Sequence, residues 1–321
     1  MHTPTYKPMI PPELVLQVAE HLASDDQIQF LQALPFLKVL FPRKLILAQD
    51  QTEEGNTLLH ILAKDGNSRL LNSLLTHHNV PADISNKSNR TPLSIAAEHG
   101  RLSVIKLLLT RFDVNPDSER SGGSSGKTPL AWAADKGHVD IVKYLLEETP
   151  TLSDRVDNCS RTPLIWAVNG GHEAVVEELV RQDNCRLAAS INADDRELHN
   201  TDPVGINAQD EDGYTALLLA VTDRYPGIVR ALLTRADLDV NKRYAGTGRT
   251  ALSMASAVGN LEIVQQLLRR EDVDVNLPDA NGWPPVLWAS KQAHTEIIRL
   301  LESRGATKAK YYSDYVLATL A

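Results

Sequence analysis

The sequence predicts an all-α solenoid of about seven stacked helix–turn–helix units with short β-hairpin tips. The first observation is a recurring Thr-Pro-Leu string, or a weaker form of it; the copies begin at Thr57, Thr91, Thr128, Thr162, Thr215, Thr250 and Pro284. The second is the spacing, since five of the six intervals between these starts are 34 to 37 residues long. The third is that an apolar stretch such as "VDIVKYLLEE" follows at a constant offset within most copies. A fixed period of this length is typical of repeat proteins.

The first part of each unit is predicted to be a short helix with a fixed start and end. Thr is a good N-cap because its hydroxyl accepts a hydrogen bond from a free backbone N–H of the first turn. Pro is favoured next to it because its missing N–H costs nothing there. Alanines in strings such as "LAWAA" and "LSIAA" let a neighbouring helix approach closely. In five copies a glycine nine residues after the start then ends the helix; these are Gly66, Gly100, Gly137, Gly171 and Gly259.

The second part of each unit is predicted to be an amphipathic helix. In the third unit Ile141, Val142, Leu145 and Leu146 share one face, which therefore needs a partner to cover it. Stretches such as "FDVN" and "DLDVN" leave this helix and lead to the next tip. One unit cannot bury its own apolar face, so its stability has to come from the neighbouring units.

This pattern resembles the ankyrin repeat, and the resemblance covers about residues 53–308. It implies helix starts near residues 57, 91, 128, 162, 215, 250 and 284. The signature histidine that follows Thr-Pro-Leu in the family is present only as His60. Arg224 and Ala293 replace the expected glycine, and Pro284 replaces the expected threonine, so we expect these two copies to be less regular.

The segments on either side of the repeats are predicted to be helical. Residues 1–48 hold two expected helices, Pro12 to Leu22 and Asp26 to about Leu40. The string Pro11-Pro12-Glu13-Leu14, followed by Val18, Leu22, Ile28 and Leu31, resembles the start of an F-box. This resemblance implies docking on a Skp1-type protein of a ubiquitin ligase. The alternative is that these helices cap the first repeat, as every solenoid requires. Residues 309–321 are expected to form a C-terminal capping helix.

One interval between repeats is much longer than the others. It measures 53 residues, and the excess defines an insertion at about residues 183–208. Long loops of this kind are usually functional or mobile, and the sequence leaves both interpretations open.

Composition excludes several classes of function. The chain has 321 residues, of which 42% are apolar, and a formal net charge of −8. The acidic balance argues against direct binding of nucleic acid or an anionic membrane, because Lys and Arg provide phosphate contacts. The apolar runs are too short for a membrane helix, and Met1 to Pro12 shows no secretory signal. Two cysteines without metal-site spacing favour an intracellular location, in the cytoplasm, the nucleus or both.

The string Gly126-Lys127-Thr128 is similar to the end of a phosphate-binding loop. The full pattern requires a glycine five residues before Gly126, where Ser121 stands. The same position in neighbouring copies is filled by Asn89-Arg90-Thr91 and Ser160-Arg161-Thr162, so the repeat explains the string. We therefore expect no bound nucleotide and no other cofactor.

No combination of residues predicts an enzyme. The histidines His60, His138, His172 and His294 occupy repeat positions and are interpreted as structural. The carboxylate pairs Asp194-Asp195 and Glu211-Asp212 lie in loops, where solvation explains them better than acid–base chemistry. Cys185 is interpreted as an inert thiol rather than a nucleophile. We expect no metal site.

The residues directly before each helix start form the candidate binding surface. In chain order they are Asn56, Arg90, Lys127, Arg161, Tyr214, Arg249 and Trp283. Apart from Asn56 all are cationic or aromatic, and these six are the candidate protein-binding residues. Arg, Tyr and Trp most often anchor interfaces, and such a row suits an extended acidic or phosphorylated segment. The alternative is that exposed tips are simply polar.

Trp132, Trp166 and Trp288 share one helical position, four residues after the helix start. They are interpreted as core residues or as a wall of the binding groove rather than as a cofactor site.

These observations predict a monomeric, non-enzymatic protein-interaction scaffold. Its more specific form is a substrate adaptor for a ubiquitin ligase, which the F-box resemblance implies. The alternative is a transcriptional co-regulator that acts through a partner transcription factor.

Overall fold

The computed structural model describes residues 24–33, 42–50, 53–117, 126–149, 155–181 and 205–307, and within these ranges the regular elements are helices. Contacts divide the chain into two compact units, residues up to Ala133 and residues from Ala134. The predicted helices at Pro12–Leu22 and 309–321 lie outside the described residues, as do residues 34–41 of the head and residues 183–204 of the insertion.

The first unit contains two head helices and the first repeats. Its helices are α1 (Ser24–Ala33), α2 (Arg43–Ile46), α3 (Leu58–Asp65), α4 (Ser68–His78), α5 (Pro92–Glu98), α6 (Leu102–Leu109) and most of α7 (Pro129–Asp135).

The second unit contains the later repeats. Its helices are α8 (Val139–Glu148), α9 (Pro163–Asn169), α10 (173–181), α11 (Ala216–Thr222), α12 (Pro226–Leu232), α13 (Ala251–Val258), α14 (Leu261–Leu267), α15 (Pro285–Lys291) and α16 (Thr295–Ser303).

The threonine caps are where the sequence predicts them. Thr91 precedes Pro92 at the start of α5, and its hydroxyl accepts a hydrogen bond from the Ser94 N–H at 3.3 Å. The same bond, 3.1 to 3.2 Å long, forms at four further starts; these are Thr128, Thr162, Thr215 and Thr250. Pro284 offers no side-chain cap at the start of α15. The caps fix each helix start because they satisfy an otherwise unpaired N–H.

Within each unit, the repeats stack on one another in the order in which they follow along the chain. The first helix of a repeat, which we call the inner helix, packs against the next inner helix, and the second, or outer, helix packs against the next outer helix. In the first unit α3 packs on α5 and α4 on α6; in the second, α9, α11, α13 and α15 pack in succession, as do α12, α14 and α16. The contact between α9 and α11 shows that the repeats on both sides of the insertion stack directly on each other.

The two atypical repeats keep the regular turn, so the expectation of irregularity at Arg224 and Ala293 is wrong. Gly137, which ends α7, has a φ of +75°, in the left-handed region. Arg224 and Ala293 take φ values of +61° and +59° at the equivalent position. The packing of the helices on either side enforces this conformation. Without glycine at this position the backbone follows the same course, but it does so with local strain.

The head supplies apolar side chains to the first repeat. Helix α1 packs against α3, and Ile28 and Leu31 of α1 are buried. Among the helices of the described ranges, none has both the length and the apolar character to cross a bilayer.

Candidate functional site

Four of the described tips are built around a buried carboxylate or amide five residues before the helix start. Asp157 Oδ1 accepts hydrogen bonds from the Cys159 and Arg161 N–H groups, both at 2.9 Å. Asn86, Asp210 and Asp279 accept equivalent backbone bonds at their own tips. This arrangement was not predicted, although the sequence shows Asn or Asp at a constant offset from these helix starts.

A left-handed residue two positions before the helix start completes each turn. These residues are Gly55, Asn89, Gly126, Ser160, Gly213, Gly248 and Gly282, with φ between +57° and +82°. Gly126 of the Gly-Lys-Thr string therefore has the same conformation as its counterparts at the other tips. This geometry agrees with the interpretation of that string as a repeat tip.

In the first unit two predicted binding residues meet on one indole ring. The Arg90 guanidinium lies 4.1 Å from the centre of the Trp132 ring, and the Lys127 ammonium lies 4.5 Å from it. Arg90 is also held by a 2.5 Å ion pair with Glu98 and by a hydrogen bond to the Ser94 carbonyl. Its side chain is only 19% exposed, so the charge of Arg90 is largely used within the repeat.

In the second unit Arg161 is held by two carboxylates of the next tip. Its Nε is 3.4 Å from Asp210 Oδ2, and its Nη2 is 3.3 Å from Asp212 Oδ2. The guanidinium also lies 5.0 Å from the centre of the Trp166 ring. Arg161 therefore links two successive tips and has little unpaired charge.

Tyr214 packs on a tyrosine of the following tip. The ring centres of Tyr214 and Tyr244 are 4.2 Å apart. Burial, and then the hydrogen bond and charge of Tyr244, raise the pKa of Tyr214 to about 12. Tyr214 is thus a neutral phenol at physiological pH, and it presents an apolar ring with a polar edge.

The last two tips and helix α15 bring two tryptophans and two cations together in one cluster. The Arg249 guanidinium stacks at 3.5 Å from the centre of the Trp288 ring. The Trp283 ring centre lies 4.9 Å from that of Trp288, and the Lys291 ammonium lies 5.2 Å and 5.3 Å from the two rings. Arg249 and Trp283 are therefore brought together, and Lys291, which is absent from the predicted set, joins them.

The tryptophans that share a helical position line the surface beside the tips. Trp132, Trp166 and Trp288 are all partly exposed. The indole N–H groups of Trp166 and Trp288 donate to Asp157 and Asp279, both at 3.0 Å. Of the two roles that the sequence left open, the groove wall fits this arrangement better than the core.

His60 has a structural role. Its Nδ1 accepts a hydrogen bond from the Thr57 N–H at 3.1 Å, and Nε2 donates to the Arg90 carbonyl at 2.9 Å. Burial lowers the pKa of His60 to about 4, so its ring is neutral at physiological pH. His172 makes a similar bond to the Asp135 carbonyl at 2.9 Å.

Among the residues that the structure describes, those with possible catalytic or metal chemistry do not converge. Asp212 is an exposed partner of Arg161, whereas Cys185, Asp194 and Asp195 lie outside the described residues. Within the described part of the chain, no group of three or more His, Cys, Asp or Glu side chains has the geometry to hold a metal. Within each unit, the tips and inner helices bring arginine, lysine and aromatic side chains together. A surface of these residue types suits the binding of another protein.

Comparison with known proteins identifies the same repeat. The family model described as ankyrin repeats (three copies) matches residues 27–120, 112–195, 153–244, 188–271 and 236–311. Among solved structures, the chain is similar to the crystal structure of the ankyrin repeat domain of Bcl-3, described as a unique member of the IkappaB protein family. The two are 26% identical with a TM-score of 0.60, and the match covers 77% of this chain and 100% of that chain. No curated protein matches the sequence.

Proposed function

The chain belongs to the ankyrin repeat family, and we propose that it is a non-enzymatic scaffold that binds a partner protein through the repeat tips and inner helices. Ankyrin repeats imply protein partners. We further propose that it acts as a monomer inside the cell, in the cytoplasm, the nucleus or both, without contacting nucleic acid itself.

The observation that carries this proposal is the arrangement of large side chains at the tips. Arg90 rests on Trp132, Tyr214 on Tyr244, and Arg249 on Trp288. Each side chain is thus held in one orientation before a partner arrives, so less entropy is lost on binding. Arg, Tyr and Trp are also the residue types that contribute most to binding energy at interfaces.

Two finer roles are compatible with such a scaffold. A ubiquitin-ligase adaptor needs its head free to dock on a Skp1-type protein. Ile28 and Leu31, two of the residues in the F-box resemblance, are instead buried in the first unit, where α1 packs on α3. Their burial favours a capping role for the head. Co-purification of a Skp1-type protein with the full chain, but not with a chain that begins near Gln49, would support the adaptor instead.

The second role is a transcriptional co-regulator that holds a DNA-binding partner. The similarity to the Bcl-3 domain, itself an IkappaB family member, supports this role only at the level of the shared repeat. Recovery of a transcription factor with the full chain from nuclear extract, lost on charge reversal at the tips, would support it.

The main proposal is tested by charge reversal at the tips. The full-length chain, with Arg90, Arg161 and Arg249 all changed to Glu, should capture markedly less of the partner recovered by the wild type in pull-down and mass spectrometry. The control changes Arg69, Arg269 and Arg299 to Glu. These are exposed arginines on or next to outer helices, and their reversal alters the net charge equally.

The control variant should retain the partner. Equal capture by both triple variants would contradict binding through the tips. Circular dichroism of each variant is needed alongside, because Arg161 also links two tips through Asp210 and Asp212.

A further inference from the structure

This inference rests on the proposed function and concerns one tip of the binding surface. Arg249 differs from the other tip arginines in how its charge is used. Arg90 and Arg161 each contact carboxylates at 3.4 Å or less. Arg249 makes one loose ion pair, 3.6 Å from Asp279 Oδ2, and its side chain donates no hydrogen bond to the described residues.

Asp279 also accepts hydrogen bonds from its own repeat, so Arg249 shares this carboxylate with other donors. Oδ1 accepts from the Asn281 and Trp283 N–H groups, both at 2.9 Å, and Oδ2 accepts from the Trp288 indole at 3.0 Å. The carboxylate is itself fully buried, so it lies beneath the surface that a partner would meet. The Trp288 ring therefore supports the Arg249 guanidinium, whose N–H groups donate no hydrogen bond within the described part of the chain.

Lys291 adds a second cation on the same ring. Its ammonium lies 5.3 Å from the Trp288 centre and the Arg249 guanidinium lies 3.5 Å from it, so the two cations are no farther apart than the sum, 8.8 Å. Lys291 is exposed and its contacts in the described residues are to the two indole rings. Arg249 has one buried carboxylate beside it and Lys291 makes no ion pair within the described residues, which leaves a net positive charge at this cluster.

We propose that Arg249 and Lys291 form an anion site for a phosphorylated serine or threonine in an extended segment of the partner protein. A phosphate carries a charge of about −1.5 to −2 at pH 7 and has three acceptor oxygens. It can therefore use the planar fork of an arginine and a separate ammonium at the same time. A carboxylate has one charge and two oxygens, so it compensates the two cations less completely than a phosphate does.

Trp283 supplies the neighbouring subsite. Its ring is inclined at 45° to that of Trp288, and the Lys291 ammonium lies 5.2 Å from it. The residue beside the phosphorylated one packs on this indole, which gives the large aromatic side chain at this tip a role in binding.

The test uses the full chain and three oriented peptide libraries that differ only at one fixed residue, which is phosphoserine, serine or glutamate. The phosphoserine library should bind about tenfold or more tightly than the serine library, because charge-assisted hydrogen bonds are strong. Arg249→Gln and Lys291→Gln should each remove most of this preference. Arg299→Gln, which removes an exposed charge on the outer helix α16, should leave it unchanged.

Three results would overturn the inference: equal binding of phosphoserine and serine, equal binding of phosphoserine and glutamate, or a phosphoserine preference that survives both variants. Lys291→Gln provides the decisive variant if Arg249→Gln fails to fold, since Lys291 is exposed. Failure here, with partner capture still lost in the tip triple variant, overturns the anion site alone. Unchanged capture in that triple variant overturns the scaffold proposal itself.

Discussion

Lowering the pH from 7 to 5 should destabilise the first repeat through His60. The side chain is fully buried. The Thr57 N–H donates to Nδ1, so the proton of the neutral ring is on Nε2, which donates to the Arg90 carbonyl of the next tip. Protonation would place a second proton at Nδ1, where it faces the Thr57 N–H. The charged ring would therefore lose its hydrogen bond from the Thr57 N–H, and burial would deny it the water that stabilises a charge.

The magnitude follows from the two pKa values. Burial holds the pKa of His60 at about 4, against 6.5 for an exposed histidine. Below pH 6.5 the unfolded chain binds the proton and the folded chain does not, so stability is complete above 6.5 and falls as the pH drops towards 4. Linkage gives a total loss of about 3 kcal/mol, of which about 2 kcal/mol arises between pH 7 and 5.

The measurement is urea unfolding of the wild type and His60→Gln at pH 7, 6 and 5. Titrating carboxylates are common to both proteins, so they cancel in the difference. The wild type should lose about 2 kcal/mol more than the variant between pH 7 and 5. An NMR titration of the wild type should show the His60 ring still neutral at pH 5. A pH-independent difference, or a His60 midpoint near 6.5, would refute the reasoning.

Four further substitutions, of which Ala257→Gly is a control, test how the repeats are held together, each measured by urea unfolding. Ala293→Gly should relieve the left-handed strain and raise the free energy of unfolding by about 0.5–1 kcal/mol, whereas Ala257→Gly, inside α13, should lower it by about 1 kcal/mol. Arg235→Leu should lower it by about 2 kcal/mol, because Arg235 is buried and its bonds to the Asp237 carboxylate would be lost. Asp157→Ala should cost about 2 kcal/mol, because two amides and one indole lose their acceptor, and tryptophan fluorescence should shift to the red.

The helices were predictable because their signals are local. A threonine such as Thr91 caps a helix through a bond to an N–H three residues away, and the sequence displays both ends of that bond. Glycines such as Gly137 likewise end a helix through their own backbone freedom. At Arg224 and Ala293 the same local reasoning failed, because packing of the neighbouring helices imposes the turn on residues that do not favour it.

For the candidate site, the sequence identifies the residues at the tips but not the contacts that these residues make. The tip position of Arg249 follows from the period, but the ring that supports it, Trp288, belongs to the next repeat. Only the stacking of the repeats brings these two side chains together. Arginine–aspartate pairs two residues apart, such as Arg235 with Asp237, were missed for a similar reason. The short motif is visible in the sequence. The burial of Arg235, which makes the loss of its partner costly, is not.

Two positions in the following repeat influence whether a tip arginine is available to a partner protein. They are the carboxylate of the next tip and the residue four positions after the next helix start. Asp210 has Leu219 four residues after its helix start, so no indole from that position takes its Oδ2, and the oxygen pairs with Arg161 of the preceding tip. Asp279 has Trp288 at that position, and its Oδ2 accepts the indole N–H at 3.0 Å while Arg249 Nε lies 3.6 Å from the same oxygen. The tryptophan thus shares the acceptor with Arg249 and also provides the ring on which the guanidinium rests. Under the proposed anion site, this one helical residue distinguishes the Arg249 tip from the Arg161 tip, where the carboxylates hold the arginine instead.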